Sequence, residues 1–405
     1  MKRIYFDHGA TTKVDETVAK TVMEAMLNNF GNPSSIHSFG RTARKSVEES
    51  REKVAALLNA QPGEIFFTSG GTESDNLAIK GITLANQKKG HHIITSTVEH
   101  HAVLHTCEYL EKNGFTVTYL PVDKYGMVNP EDVREALNNK TILVSIMMGN
   151  NEVGTLQPIK EIAAITREAG VYFHTDAVQA VGNMPVDVKD LGVDLLSLSG
   201  HKFYGPKGIG ALYIRKGVKI APVQHGGGHE RKLRAGTENV PGIIGLARAC
   251  EIAMQDMPEK VARVSALRDK MIRTILQNID HVQLNGHPEK RLPGNANFSF
   301  EFVEGESLLL NLDLKGIAAS SGSACTSGSL DPSHVLLSMG LSHEIAHGSL
   351  RLTLGAENTE DEVDYFLDVI PEIVTRLRAM SPLYNNNCNL SIRRSEVCEH
   401  CHGDS

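Results

Sequence analysis

Short apolar runs of strand length alternate with amphipathic stretches of helical spacing between about residues 40 and 215. Residues 41–58 are charged and carry apolar positions on one helical face. Residues 64–68 read as a strand, 73–85 as a helix, 92–96 as a strand, 103–112 as a helix and 117–122 as extended chain. Asn129-Pro130-Glu131-Asp132 is a helix start: Asn caps, Pro occupies the first turn and acids lie beside the dipole. Residues 141–148 form a continuous apolar run, expected as a buried strand. Pro158 opens another helix that stops near Gly170, and residues 171–175 and 193–198 are further strands. Such alternation predicts an α/β fold with a mainly parallel sheet between helices.

After Gly226-Gly227-Gly228 the pattern changes. Residues 241–279 are mostly helical, with a kink or break expected at Pro258. Shorter strands are expected at 282–284 and 297–300, a helix at 307–310 and a last helix over 360–380. This half reads as a smaller α+β domain. The expected division is a large domain over 15–259, a small domain from 1–14 with 260–384, and a polar tail over 385–405.

A chain of 405 residues has room for two domains with sizeable cores. Its 41% hydrophobic and 22% charged residues match an ordinary soluble protein. A net charge of -7 argues against a general nucleic-acid binder. The apolar runs are too short to span a bilayer, and the start, MKRIYFDHGATT, lacks a secretory apolar core, so a cytoplasmic protein is expected. The six cysteines are then expected as free thiols, with Cys107 and Cys250 as buried helical positions.

Ser199-Gly200-His201-Lys202 follows a strand, where a lysine amine can meet an aldehyde cofactor. Asp176 ends another strand, where a buried carboxylate can pair with a pyridinium nitrogen. A Schiff-base lysine and such an acid are what pyridoxal phosphate (PLP) requires of a protein. Ser69-Gly70-Gly71-Thr72 lies between strand and helix; its glycines, hydroxyl and helix N-terminus suit an anion. The plain alternative is a capped turn. Gln179 and Asn151 could bond the ring's phenolic oxygen or be ordinary polar residues. Of His100 and His101, either could stack on a flat ring and shuttle protons. Cys325 sits among ten small residues, 320–329, where a thiol can ionise and move. Arg351, in mid-strand, suits a substrate carboxylate or a structural ion pair.

The set SGGTESDN, VEHHAV, NNEVGTLQP, HTDAVQAVG, SLSGHKFYGPKGIGALY, HGGGHERKLRAGTEN, SSGSACTSGSL and GSLRLTLG resembles the cysteine desulfurases of the NifS/IscS group, fold-type I PLP enzymes, in that group's order from residue 4 to about 380. The resemblance implies a seven-stranded sheet in the PLP-binding domain and a homodimer. It implies Lys202 as Schiff-base lysine, Asp176 as pyridinium partner and His100 as ring-stacking acid/base. It further implies Gln179 and Asn151 at the phenolic oxygen, and Gly71, Thr72, Ser199 and His201 at the phosphate, with Thr237 donated across the dimer. Arg351 and Asn32 are implied as carboxylate binders and Cys325 as the persulfide-forming residue. L-cysteine would yield L-alanine, and sulfur would pass to an acceptor such as an Fe–S scaffold.

Two departures stand out. The group usually starts close to YLDNNATT, whereas here His8-Gly9 precede Ala10. The tail Cys388, Cys398-Glu399-His400-Cys401-His402 contains CxxCH; a dangling tail is expected there, without metal. The rivals are a selenocysteine lyase or aminotransferase, the latter needing no loop thiol, and a thiol or metal carrier acting through the tail.

Overall fold

The computed structural model describes residues 3–321, 332–382 and 384. Cys325 and the tail cysteines lie outside the described residues. The chain opens with a two-residue strand, β1 (Ile4–Tyr5), followed by helices α1 (Glu16–Asn28) and α2 (Ser38–Leu57). Seven strands then build the large sheet: β2 (Ile65–Thr68), β3 (His92–Ser96), β4 (Thr116–Leu120), β5 (Thr141–Ser145), β6 (Tyr172–Asp176), β7 (Leu195–Ser199) and β8 (Gly210–Ile214). Their order is β2-β8-β7-β6-β5-β3-β4. Every pair from β7 to β4 is parallel, and β8 runs antiparallel to both of its neighbours. Between the strands lie α3 (Gly71–Asn86), α4 (His101–Glu111), α5 (Pro130–Ala136), α6 (Ile159–Ala169) and α7 (Val188–Leu191). The expected mainly parallel sheet between helices is present.

Local chemistry sets the boundaries. The Asn129 side chain accepts from the Glu131 amide to start α5, and Gly170 ends α6 at φ 67° in the left-handed region. The apolar run at 141–148 outlasts its strand. The Ile146 and Met148 amides still donate to the His174 and Asp176 carbonyls, but the Met147 amide turns to Glu99. Cys107 and Cys250 are buried free thiols.

Helix α8 (Val240–Asn278) runs through Pro258 without a break. Proline removes one intrahelical donor, yet tertiary packing holds both halves. Ala253 and Met257 belong to the core of the large sheet, and Val264 and Leu267 to a second core. That second core lies under β9 (Val282–Asn285), β10 (Asn295–Phe300) and a later strand, Ser349–Thr353, in the order Ser349–Thr353, β10, β9. Helix α9 (Gly305–Leu314) leads to β11 (Ile317–Ala318), which pairs with β1; both strands are too short to leave an alternating pattern in sequence. Helices α10 (His334–Ser338) and α11 (His343–His347) precede the Ser349–Thr353 strand, β12, and α12 (Glu360–Met380) closes the described chain.

Strands β10 and β12 have two characters. Ala296, Phe298, Phe300, Leu350 and Leu352 enter the second core. The alternate residues Asn295, Asn297, Arg351 and Thr353 face the loop after β5 and the N-terminal segment, as their hydrogen bonds show.

Candidate active site

Because β8 reverses twice, β2 runs in the same direction as the parallel strands. The residues following β2, β3, β5, β6 and β7 therefore gather at one edge, the carboxyl edge, where open α/β sheets bind ligands. Gly71 and Thr72, His100, Asn151, Asp176 and Gln179, and Ser199 to Lys202 come from those five strand ends.

Lys202 ends a single 3-10 turn, Gly200–Lys202. Its Nζ donates to the carbonyls of Gly9 (2.6 Å) and Ala10 (2.9 Å), and Gln179 Nε2 donates to the same Gly9 carbonyl at 3.0 Å. The N-terminal segment is stitched onto this turn. Thr12 Oγ1 donates to the His201 carbonyl, the Tyr204 amide donates to Thr12 Oγ1, and His201 Nδ1 lies 3.1 Å from Thr11 Oγ1. The departure at His8-Gly9 therefore touches the lysine through backbone: the Gly9 amide donates to Thr353 Oγ1 at 2.7 Å. The His8 ring is buried beside Tyr5 and Tyr204.

Asp176 is buried, and that burial lifts its carboxyl to about 6, against the pull of the Val178 amide and the Lys202 charge. Behind it lies a second buried layer. His174 places Nδ1 2.8 Å from Ser145 Oγ, and Nε2 3.0 Å from Ser197 Oγ and 3.6 Å from Asp75 Oδ1. Burial pushes the His174 imidazole down to about 3, so it is neutral there. Asp75 is driven well above the usual carboxylate range by burial and by the Asp176 charge. Burial raises both carboxyls and the Asp176 charge adds to the rise at Asp75, so ionising one opposes ionising the other.

His100 caps α4, its Nδ1 accepting from the Ala102 amide at 3.1 Å, which leaves the ring proton on Nε2. Burial, and then the Lys202 charge, push its imidazole down to about 4. Of the two histidines the sequence left open, His100 is the one that feels Lys202. His101 packs instead against His105 and His334, its ring tilted to each at a centroid distance of 4.9 Å.

The β2–α3 turn has no room for larger residues. A Cβ on Gly71 would meet Val178 Cγ2 at 2.7 Å, and Gly70 adopts φ 151°. The bare first turn of α3 leaves its amides for an anion, as helix N-termini do. Ser199 is buried, and its Oγ would lie 3.5 Å from a Cβ on Gly70. Lysine amine, buried aspartate and tight glycine turn at one strand edge fit pyridoxal phosphate.

Arg351 is enclosed. Its Nη1 donates to the Asn151 carbonyl (3.1 Å) and Nη2 to Asp7 Oδ1 (3.0 Å), while Nε has no partner. The structural ion pair named as an alternative is thus real, and a buried donor remains over for a ligand. Asn32 and Thr237 are not brought to this cluster within the chain. Asn32 is exposed and accepts from the Ser34 amide, and the exposed Thr237 makes no side-chain hydrogen bond among the described residues. Arg234, three residues before Thr237, pairs with Glu73 in the first turn of α3 (2.8 Å).

Sequence reasoning quoted Asp75, Glu99, Glu152 and His174 inside its motifs without giving them roles. Each is buried. Asp75 carried a signal: it shares a helical face with Ala78, Ile79 and Ile82, all buried, where an acid is out of place.

The family model "Aminotransferase class-V" matches residues 4–366. The chain belongs to the class-V aminotransferase family. Among class-V relatives, "Cysteine desulfurase IscS" of Methanosarcina thermophila is 60% identical over 94% of this chain and 94% of its own length. The "Cysteine desulfurase" of Nostoc sp. is 48% identical over 99% of this chain and all of its own. A solved class-V structure described as a NifS-like protein superposes with a TM-score of 0.87 at 42% identity, covering 92% of this chain and 100% of its own.

Proposed function

We infer that this class-V protein is a PLP-dependent cysteine desulfurase, converting L-cysteine to L-alanine with a persulfide on Cys325. The observation that carries the reading is the gathering of Lys202 and Asp176 at one edge of the large sheet, with Arg351 of β12 bonded to the Asn151 carbonyl of the same edge and its strand partner Ser320 preceding the Cys325 segment. The Ser320 amide donates to the Arg351 carbonyl at 3.2 Å, and the Arg351 amide donates to the Ser320 carbonyl at 2.6 Å. The names of relatives sharing 48–60% of their sequence support the same activity.

Lys202 and Asp176 would hold PLP by its aldehyde carbon and ring nitrogen, with Gly71, Thr72, Ser199 and His201 at its phosphate and Asn151 and Gln179 at its phenolic oxygen. When bound, PLP supplies an electron sink for the substrate's Cα. Arg351 Nε grips the substrate carboxylate and fixes its orientation. The Lys202 amine, handed over from the Gly9 and Ala10 carbonyls, takes and returns the proton at Cα. Neutral His100 would lie against the ring and carry protons through Nε2. The Cys325 thiolate attacks the substrate sulfur; the C–S bond breaks, its electron pair stays with the carbon skeleton, and two protons complete alanine. Sulfur remains as a persulfide and passes to an acceptor protein of the iron–sulfur scaffold class.

A homodimer completes the site. Met26, Leu27, Phe30, Ile36 and Phe39 form an exposed apolar surface on α1, the α1–α2 connection and the start of α2. The segment bearing Thr237 adjoins it through Ser34 with His229 (3.4 Å) and Arg44 with Glu238 (3.4 Å). A second copy covers this surface and receives Thr237 at its own phosphate turn, while Asn32 contributes to carboxylate binding. The division into 15–259, with 1–14 and 260–384 as a second unit, is supported by the switch of cores between Met257 and Val264. Among the described residues no helix is long and apolar enough to cross a membrane. The buried free thiols fit a reducing compartment, the cytoplasm.

Substituting Cys325→Ser tests the reading. The variant should keep the absorbance of bound cofactor and cease releasing sulfide from L-cysteine. Undiminished sulfide from that variant would end the persulfide assignment.

A further inference from the structure

Glu152 is enclosed in the loop after β5, only 4% exposed, and has no part in the chemistry above. Burying a carboxyl is costly, so its contacts are informative. Its carbonyl accepts from Asn295 Nδ2 (3.1 Å) and Asn297 Nδ2 (3.0 Å), and its amide donates to Asn150 Oδ1 (2.9 Å). The loop is thereby locked to the polar face of β10, whose Asn297 stands opposite Arg351 in register. The preceding residue, Asn151, accepts from Arg351 through its carbonyl.

The Glu152 carboxylate itself points to a different element. Ser333 Oγ donates to Glu152 Oε2, and the same Oγ accepts from the Leu336 amide, capping α10. Helix α10 then rests on Val98 and Val153 through Val335 and Leu336, a separate small core. Ser333 follows the segment carrying Cys325 and Ser320 precedes it. Both flanks are thus fastened around Arg351: Ser320 by two backbone hydrogen bonds, Ser333 through Glu152. Burial lifts the Glu152 carboxyl to about 7, while the Ser333 hydroxyl and the Arg351 charge pull the other way.

We propose that Glu152 is a positioning residue for sulfur transfer, its carboxylate fastening the C-terminal flank of the Cys325 segment, through Ser333, to the loop that braces the carboxylate-binding Arg351. The inference rests on the desulfurase reading above. Placement of the substrate carboxylate and placement of the thiol's flank then share one rigid support.

The test is a single-turnover reaction of holoenzyme with L-cysteine. One readout is the absorbance change of bound cofactor on substrate addition. The other is the rate at which the Cys325 peptide gains one sulfur by mass spectrometry. Glu152→Ala and Ser333→Ala should each slow labelling of Cys325 about tenfold, the effect of losing one hydrogen bond to a charged acceptor. The cysteine dependence of the absorbance change should stay within about twofold. The double variant should be no slower than Glu152→Ala alone, because both remove one link. Ser333→Thr should restore the rate. Ser333→Asp, a good helix cap that sets a carboxylate against Glu152, should remain slow.

Wild-type labelling in Glu152→Ala and Ser333→Ala overturns the proposal. So does multiplicative slowing in the double variant, or a wild-type rate in Ser333→Asp, which would reduce Ser333 to a helix cap. If Glu152→Ala fails to fold, the Ser333 series decides alone. Absence of sulfur on Cys325 in the unsubstituted enzyme defeats the desulfurase reading, and this inference with it.

Discussion

Replacing Arg51 by Met removes a cation that the fold has enclosed. Arg51 and Glu230 are each 2% exposed at their side chains and pair through two parallel hydrogen bonds of 2.8 Å. Arg51 Nη1 also donates to the Ile65 carbonyl, and Glu230 Oε2 accepts from the Phe67 amide at 2.9 Å. Arg51→Met would leave Glu230 buried, still accepting from the Phe67 amide but without its countercharge. Breaking a buried pair from one side costs about 3–5 kcal/mol. Removing both charges, in Arg51→Met with Glu230→Leu, leaves the Phe67 amide without its acceptor, a cost of about 1–3 kcal/mol. The double variant should therefore be more stable than the single one. Glu230, Arg231 and Lys232 hold φ values of 43°, 54° and 71°, a strained run that leads to Thr237. Freed of its anchor, the run should relax and weaken the cofactor contact proposed for Thr237 in a second copy. Urea unfolding at fixed protein concentration measures the stability, and the rate of cofactor release measures the second effect. A loss of less than about 1 kcal/mol in Arg51→Met, or a double variant no better than the single one, would refute the reasoning.

Lys202→Ala should abolish the absorbance of covalently held cofactor and all turnover; a variant that keeps both excludes Lys202 as the anchor. Stability should fall on both sides of an intermediate pH. His174, down to about 3, and His8, His100 and His201, down to about 4, resist protonation in the fold, so their contribution is present above the unfolded value of 6.5 and is lost as pH falls toward those values. Glu99 and Glu152, up to about 8 and about 7, contribute fully below the unfolded value of 4.5, a contribution lost as pH rises through the raised values. Urea midpoints between pH 4 and 9 check both limbs, and Glu99→Gln should flatten the alkaline one.

Much of the site was legible because each strand end carries its chemistry in a few consecutive residues. Lys202, Asp176 and the Gly70-Gly71 turn each follow an apolar run that a period-two pattern identifies. Helix α12 was legible for a different reason, its apolar stripe being long and its cap at Thr359 complete. What escaped depends on contacts distant in sequence. Nothing near Arg351 announces Asp7, which meets it across 344 positions. Asp75 and His174 come together only when α3 packs behind β6. The break allowed for at Pro258 did not occur, because two cores hold the two halves of α8. At the His8-Gly9 departure, the part that meets Lys202 is the Gly9 carbonyl, which no side-chain pattern announces.

The central claim is that substrate sulfur moves to Cys325 as alanine forms. Holoenzyme mixed with a limiting amount of L-cysteine, without reductant, and quenched after one turnover tests it directly. Alanine should appear in a one-to-one ratio with a single added sulfur on the peptide containing Cys325. Alanine formed with the added sulfur on another cysteine, or with none bound to the protein, would contradict the account.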